Sequence, residues 1–181
     1  MSEDAPAILA GDGFLVRRWR ASDKASLLRH ADDEQVSVGL SDHFPWPYTP
    51  ADADDFLQGR VIGTADALAI EIDGAAVGGI GMQRGVDVHR HGAEIGYWLG
   101  RAYWGRGLMS RIVPAWRDHL FATQGYRRLE AKVYSNNPAS AHLLEKCGFV
   151  REGIKREAAV KRGEVLDVWI YAILRSSLTS P

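Results

Sequence analysis

The spacing of apolar and polar positions changes several times along the chain, and each change marks an element. Residues 14–20 alternate apolar and basic side chains, the period-two signature of a strand. Ser22 is placed to cap a helix running to about Ala31. Residues 32–48 hold no clean period and contain Pro45, Trp46, Pro47 and Tyr48, so they predict a long aromatic loop with room for a short helix. Thr49-Pro50 is a cap followed by proline at the first helical position, opening a helix to about Arg60. Two apolar runs, 67–72 and 75–82, are split by Asp73-Gly74, which predicts a hairpin.

Residues 93–99 predict a fourth strand, and 108–121 carry apolar residues at helical spacing despite Pro114. Residues 129–134 predict a fifth strand. Asn137-Pro138 repeats the cap-plus-proline signal for a helix to about Lys146, stopped by Gly148. Residues 149–159 and 165–174 are strand-like and join near Arg162-Gly163. The order is β-α-α-β-β-β-α-β-α-β-β. A hairpin-rich half followed by a strand-helix-strand-helix half predicts an α/β (α+β) domain with a mixed sheet and helices on both faces.

Length bounds this picture to one domain: 181 residues, read as a tail over 1–12, a domain over 13–175 and a tail over 176–181. With 46% hydrophobic and 25% charged residues the chain is ordinary globular material, and a net charge of −1 argues against a general nucleic-acid binder. The single cysteine, Cys147, excludes an internal disulfide and fits a reducing cytoplasm. The acidic start, Met1 to Asp4, lacks the features of a signal peptide. No apolar run approaches the ~20 residues that span a bilayer, so no membrane partner is expected.

The chemistry concentrates in one stretch. A strand ends at Leu99, and Trp104-Gly105-Arg106-Gly107-Leu108-Met109 leads into a helix. Glycines there permit tight turning and close approach to a ligand. The unpaired N–H groups and positive dipole end of the helix form an anion site suited to a pyrophosphate, with Arg101 and Arg106 able to add charge. The competing reading is a glycine-rich turn that merely starts a helix. Neither a Gly-Lys-Ser/Thr nucleotide loop nor Rossmann glycine spacing is present.

This stretch and a second one resemble the GNAT superfamily of N-acetyltransferases, most closely the Rim-type branch of bacterial ribosomal-protein N-terminal acetyltransferases. Tyr97-Trp98 leading to Trp104-Gly105-Arg106-Gly107 is similar to that branch's cofactor loop. Asn137-Pro138-Ala139-Ser140 through Cys147-Gly148-Phe149 is similar to its second cofactor motif, and residues 45–56 resemble its early segment. The likeness covers about residues 13–175. It implies the GNAT fold: a single mixed, mostly antiparallel sheet whose fourth and fifth strands splay apart. It implies acetyl-CoA as co-substrate, with no metal. The pantetheine would pair with the backbone of Ile95, Gly96, Tyr97, Trp98 and Leu99 as a strand adds to a sheet edge. The pyrophosphate would lie on Trp104, Gly105, Arg106, Gly107, Leu108 and Met109, and Asn137 would reach the pantetheine amide or cap its helix.

Two departures from the wider pattern stand out. The slot three residues before the first loop glycine is Ala102, where the family often has glutamine or arginine. The slot seven residues after the asparagine is Leu144, where many members have a tyrosine acid. The implied reaction is direct acetyl transfer to a primary amine, either a protein N-terminus or a small molecule. The amine must lose a proton before it attacks. Glu94 matches the place of a general base in some members; the alternative is a structural carboxylate. Ser140, one turn after Asn137, is a candidate to stabilise the leaving thiolate; the alternative is a helix-start serine. Cys147 reads as a small buried hydrophobe rather than a nucleophile. His89 and His91 read as turn histidines rather than metal ligands. The loop 44–48 reads either as a wall of the acceptor pocket or as core packing. Asp42, Asp54 and Asp167 are unranked candidates for holding an acceptor cation. Rival readings are a small-molecule detoxifying acetyltransferase and a catalytically weak CoA-binding sensor or interaction module. A homodimer would be in keeping with the branch.

Overall fold

The computed structural model describes residues 6–61 and 66–178. The chain forms two compact units, one of residues 1–81 and 97–108, the other of 82–96 and 109–181. Of the expected tails over 1–12 and 176–181, residues 1–5 and 179–181 lie outside the described residues.

The first unit opens with a strand the sequence does not announce. β1 (Leu9–Gly11) pairs antiparallel with β2 (Phe14–Arg17), so part of the expected tail belongs to the sheet. A three-residue strand is too short to show alternation, and its pairing with β2 holds it. β2 pairs with β3 (Ala67–Ile72), and β3 with β4 (Ala75–Arg84), all antiparallel. The β3–β4 hairpin turns at Asp73 and Gly74, both at positive φ (49° and 81°), as a tight hairpin of matching twist requires. β4 and β5 (Gly92–Leu99) run through both units.

Three helices belong to this unit: α1 (Lys24–Ala31), the short α2 (Glu34–Ser37) and α3 (Pro50–Leu57). Thr49 caps α3 in a reciprocal capping box with Asp52. Ser22 is not the cap before α1. The turn there is fixed by Asp23, whose carboxylate accepts the Arg20 backbone N–H at 2.8 Å and a fork of two hydrogen bonds from buried Arg17 at 2.7 and 2.9 Å. Arg17 also pairs with Glu71, so a guanidinium only 2% exposed is fully matched. Trp19, Leu27, Ala31, Tyr48, Ala53, Ala69 and Ala76 form a buried hydrophobic cluster of this unit.

In the second unit, β6 (Arg128–Tyr134) buries Leu129, Ala131 and Val133 on one side and pairs antiparallel with β8 (Glu164–Leu174) over its whole length. β8 closes a hairpin with β7 (Val150–Lys161) through Arg162 and Gly163, at φ 52° and 83°. α4 (Met109–Thr123) buries Ile112, Val113, Trp116, Leu120 and Phe121, a 3–4 spacing that makes one apolar face. α5 (Pro138–Lys146) follows. β5 and β6 form the one parallel pair among those described, and the pairing lasts three rungs: Gly92 with Arg128, Ala93 with Leu129, Glu94 with Glu130. The strands numbered fourth and fifth from the sequence are therefore β5 and β6. Strands follow β1-β2-β3-β4-β5 through the first unit and β4-β5-β6-β8-β7 through the second. No helix among the described residues is long and apolar enough to cross a membrane.

Candidate active site

In the first unit, the end of β5 is fastened before the glycine loop begins. Leu99 is buried and Gly100 donates its N–H to the Val77 carbonyl at 2.8 Å. A Cβ on Gly100 would stand 2.7 Å from the His30 ring, so only glycine lets the chain pass. The His30 ring packs edge-on against Tyr103 at 5.4 Å, and burial holds its imidazole below the usual value. The Trp104 indole N–H donates to the Leu99 carbonyl at 2.7 Å, which ties the turn back to the strand. Arg106 lies over the Tyr103 ring at 5.2 Å, and Arg101 pairs loosely with Asp33 at 3.6 Å.

The loop itself is open. Residues 104–107 are exposed, and Gly105 and Gly107 take positive φ (71° and 68°) with nothing within 4 Å of an added Cβ. Among the described residues, Gly105, Arg106, Gly107 and Leu108 donate no backbone hydrogen bond to other backbone outside helices and strands. Just beyond, α4 begins at Met109, and the first-turn N–H groups of a helix find no acceptor within the helix itself. Within the first unit the turn thus leaves backbone exposed at the residues where the sequence predicts an anion site.

β5 divides its residues between core and surface. Ile95 and Leu99 are buried, while Gly96 is exposed with open space around it, so a ligand can lie against the backbone there. Trp98 points into the first unit's core: its ring stacks on Trp19 (6.4 Å) and meets Phe44 edge-on (5.1 Å). It fits because β4 has glycines beneath it. A Cβ on Gly79 would lie 2.5 Å from the indole nitrogen, and one on Gly78 2.5 Å from the Trp98 carbonyl. Nothing in a Gly-Gly pair of a strand names the tryptophan it makes room for. Phe44 and Tyr48 join this cluster, which settles their place as packing, and burial pushes the Tyr48 phenol up to about 12. Trp46 is 43% exposed.

The second unit carries the acid–base candidates. β5 and β6 stop pairing after Glu94, while β6 continues to pair with β8 as far as Tyr134. The parallel ladder thus opens at Ile95. Glu94 is half-buried at the last rung, and its Oε2 is 2.6 Å from the Lys132 ammonium. Glu130, opposite Glu94, accepts from Arg128 at 2.7 Å. These residues line a cleft of about 440 Å³. Lys132 is two residues beyond Glu130 and so shares its face of β6, but the register that brings it to Glu94 is set by sheet pairing.

Asn137 caps α5, accepting the Ser140 backbone N–H at 3.2 Å through Oδ1, which leaves its amide nitrogen outside the cap. Both residues are half-buried. Leu144 is fully buried, so the slot that holds a tyrosine in many GNAT members is core here. Cys147 is 4% exposed, and burial raises its thiol pKa; its carbonyl accepts from Arg117 at 2.9 Å. His89 and His91 are exposed. The three aspartates play separate parts. Asp54 pairs with Lys24 at 2.7 Å, Asp167 accepts the Glu157 N–H at 2.9 Å, and Asp42 is exposed.

Known proteins match this arrangement. The acetyltransferase (GNAT) domain family matches residues 14–150. An uncharacterized N-acetyltransferase p20 of Bacillus licheniformis is 37% identical over 90 residues, 50% of this chain and 51% of that protein. The chain spans about half the length of the first curated relatives it matches. The ribosomal-protein-serine acetyltransferase of Escherichia coli K12 is 29% identical over 74% of this chain and 78% of its own length. Among solved structures, a GNAT-family acetyltransferase from Bacillus anthracis superposes with TM-score 0.82 at 22% identity, over 93% of this chain and 98% of its own. RimL, a ribosomal L7/L12 alpha-N-protein acetyltransferase solved with coenzyme A, gives TM-score 0.78 at 22% identity over the same shares. These likenesses are of fold, whereas the family match spans most of the sequence. The chain belongs to the GNAT acetyltransferase family.

Proposed function

We propose that this protein transfers an acetyl group from acetyl-CoA directly to a primary amine. The observation that carries the reading is the exposed Gly105–Gly107 turn, whose N–H groups donate to no other backbone outside helices and strands among the described residues, together with a strand before it whose parallel pairing lapses at Ile95. The residues fit the co-substrate. Its diphosphate takes the N–H groups of Gly105 to Met109, with Arg106 beside them. The turn's short tie from Trp104 to Leu99 holds these donors in place before any ligand arrives. The side chains of Ile95, Leu99 and Leu108 are buried, so these residues contribute backbone alone. Asn137 uses its oxygen for the helix and its nitrogen for the pantetheine amide.

Acetyl-CoA supplies a thioester carbonyl open to attack. Glu94 takes a proton from the incoming ammonium, directly or through water. The amine nitrogen forms the new bond to the carbonyl carbon, the carbon–sulfur bond breaks, and the thiolate takes up a proton. Backbone N–H groups of β5 at residues 95–98 polarise the carbonyl. Ser140 is the candidate to stabilise the thiolate, since Leu144 is closed in the core. That buried slot is also what favours the rival, a CoA-binding module without turnover.

Thiol release from acetyl-CoA, followed over a panel of peptides and small amines, separates the two. Amine-dependent release with formation of the acetylated amine is the expected result. CoA binding with no release on any acceptor would sustain the rival instead.

A further inference from the structure

The cleft around Glu94 has a charge balance that bears on the acceptor. Four cationic side chains line it (Arg84, Arg127, Arg128 and Lys132) against two carboxylates (Glu94 and Glu130). Both carboxylates are already matched from within: Glu94 by Lys132 at 2.6 Å, and Glu130 by Arg128 at 2.7 Å. Arg128 also forks onto Glu152, at 3.0 and 2.5 Å. Arg127 is exposed and pairs with no carboxylate among the described residues. It is nevertheless fixed at the rim, because its N–H donates to the His91 carbonyl at 2.8 Å and its own carbonyl accepts from Arg175 at 2.9 Å. His91 and His89 line the same rim and add no negative charge.

We propose that this cleft recognises a peptide N-terminus carrying an acidic side chain at its second or third residue, with Arg127 as the residue that selects it. The proposal rests on the acetyl-transfer reading, with the reacting amine at Glu94. The register sets the distance. Arg128 stands opposite Gly92, two residues before the Glu94 rung, and Arg127 precedes it by one. At about 3.3 Å per strand residue, these cations lie roughly 7–10 Å along the ladder from Glu94. An extended peptide covers that span in two to three residues at about 3.3–3.6 Å each. An acceptor carboxylate at that position meets a cation that lacks a partner; a lysine there meets like charge. A cleft of about 440 Å³ is of a size to hold a short peptide end.

The test uses two hexapeptides identical except for Asp-Glu or Lys-Lys at positions two and three, assayed by thiol release and by calorimetric binding to the CoA-loaded protein. The wild type is expected to favour the acidic peptide about tenfold in kcat/KM, chiefly through KM, and the preference should shrink in high salt. Arg127→Glu should abolish or invert the preference, and Arg127→Lys should keep most of it. Equal use of the two peptides, a preference for the basic one, or an unaltered preference in R127E would overturn the assignment while leaving acetyl transfer standing. Absence of turnover on every amine, with no peptide binding, would overturn both.

Discussion

Glu94 meets Lys132 at 2.6 Å, and that one contact shows how far a single residue's role can be read without the fold. Its position before Ile95-Gly96-Tyr97-Trp98 marks it as a base candidate. Its partner is invisible, because which residue of β6 comes alongside depends on where the parallel ladder starts and stops. Glu94→Gln is expected to lower kcat by about 10²–10⁴-fold with CoA affinity retained, as removal of a positioned base does; steady-state rates and a CoA titration measure the two effects separately. Tyr48 gives a second test at this scale. Its phenol is buried, with a pKa raised from 10 to about 12, so the folded chain favours the neutral form. That contribution is fully present below pH 10 and is lost as pH rises through about 12. Denaturant midpoints measured across this window should fall more steeply for the wild type than for Tyr48→Phe.

Among the elements, those with strong local signals appear where their sequences place them. The Thr49-Pro50 and Asn137-Pro138 caps, the Asp73-Gly74 hairpin and the Arg162-Gly163 turn all rest on chemistry contained in two to four neighbouring residues. Elements fixed by distant partners do not show themselves. β1 exists through its ladder to β2, and the turn before α1 is fixed by Asp23 rather than Ser22 because Arg17 and Glu71 complete the same buried network. The loop 44–48 carries two readings because a row of aromatic residues suits a pocket wall and a core equally well; the meeting with Trp98 over Gly78 and Gly79 places Phe44 and Tyr48 in the packing, while Trp46 stays exposed. α5 offers a test of a residue serving two ends. Asn137→Ala is expected to cost about 1 kcal/mol of stability through the lost cap. Asn137→Asp keeps a cap oxygen but has no amide to donate, so its melting temperature should hold while CoA affinity falls. A drop in stability with unchanged CoA affinity in both variants would confine Asn137 to the cap.

At the scale of the whole molecule, two separated motifs in the right order were enough to identify the fold, since the glycine turn and the Asn-Pro helix start are each local and their order is a property of topology. The acceptor was not legible. The cleft proposed to recognise it is lined by residues of β4, β6 and the turn before β5 that converge only after pairing. The central physical claim is that the backbone from Gly105 to Met109 holds a diphosphate. Isothermal titration of CoA into the wild type and into Gly105→Val tests it most directly. Gly105 sits at φ 71° in open space, so valine strains the turn and crowds the anion. The variant is expected to lose at least about tenfold in CoA affinity, as loss of one charge-assisted hydrogen bond would give, with its circular dichroism unchanged. A folded Gly105→Val protein that binds CoA as tightly as the wild type would contradict the claim.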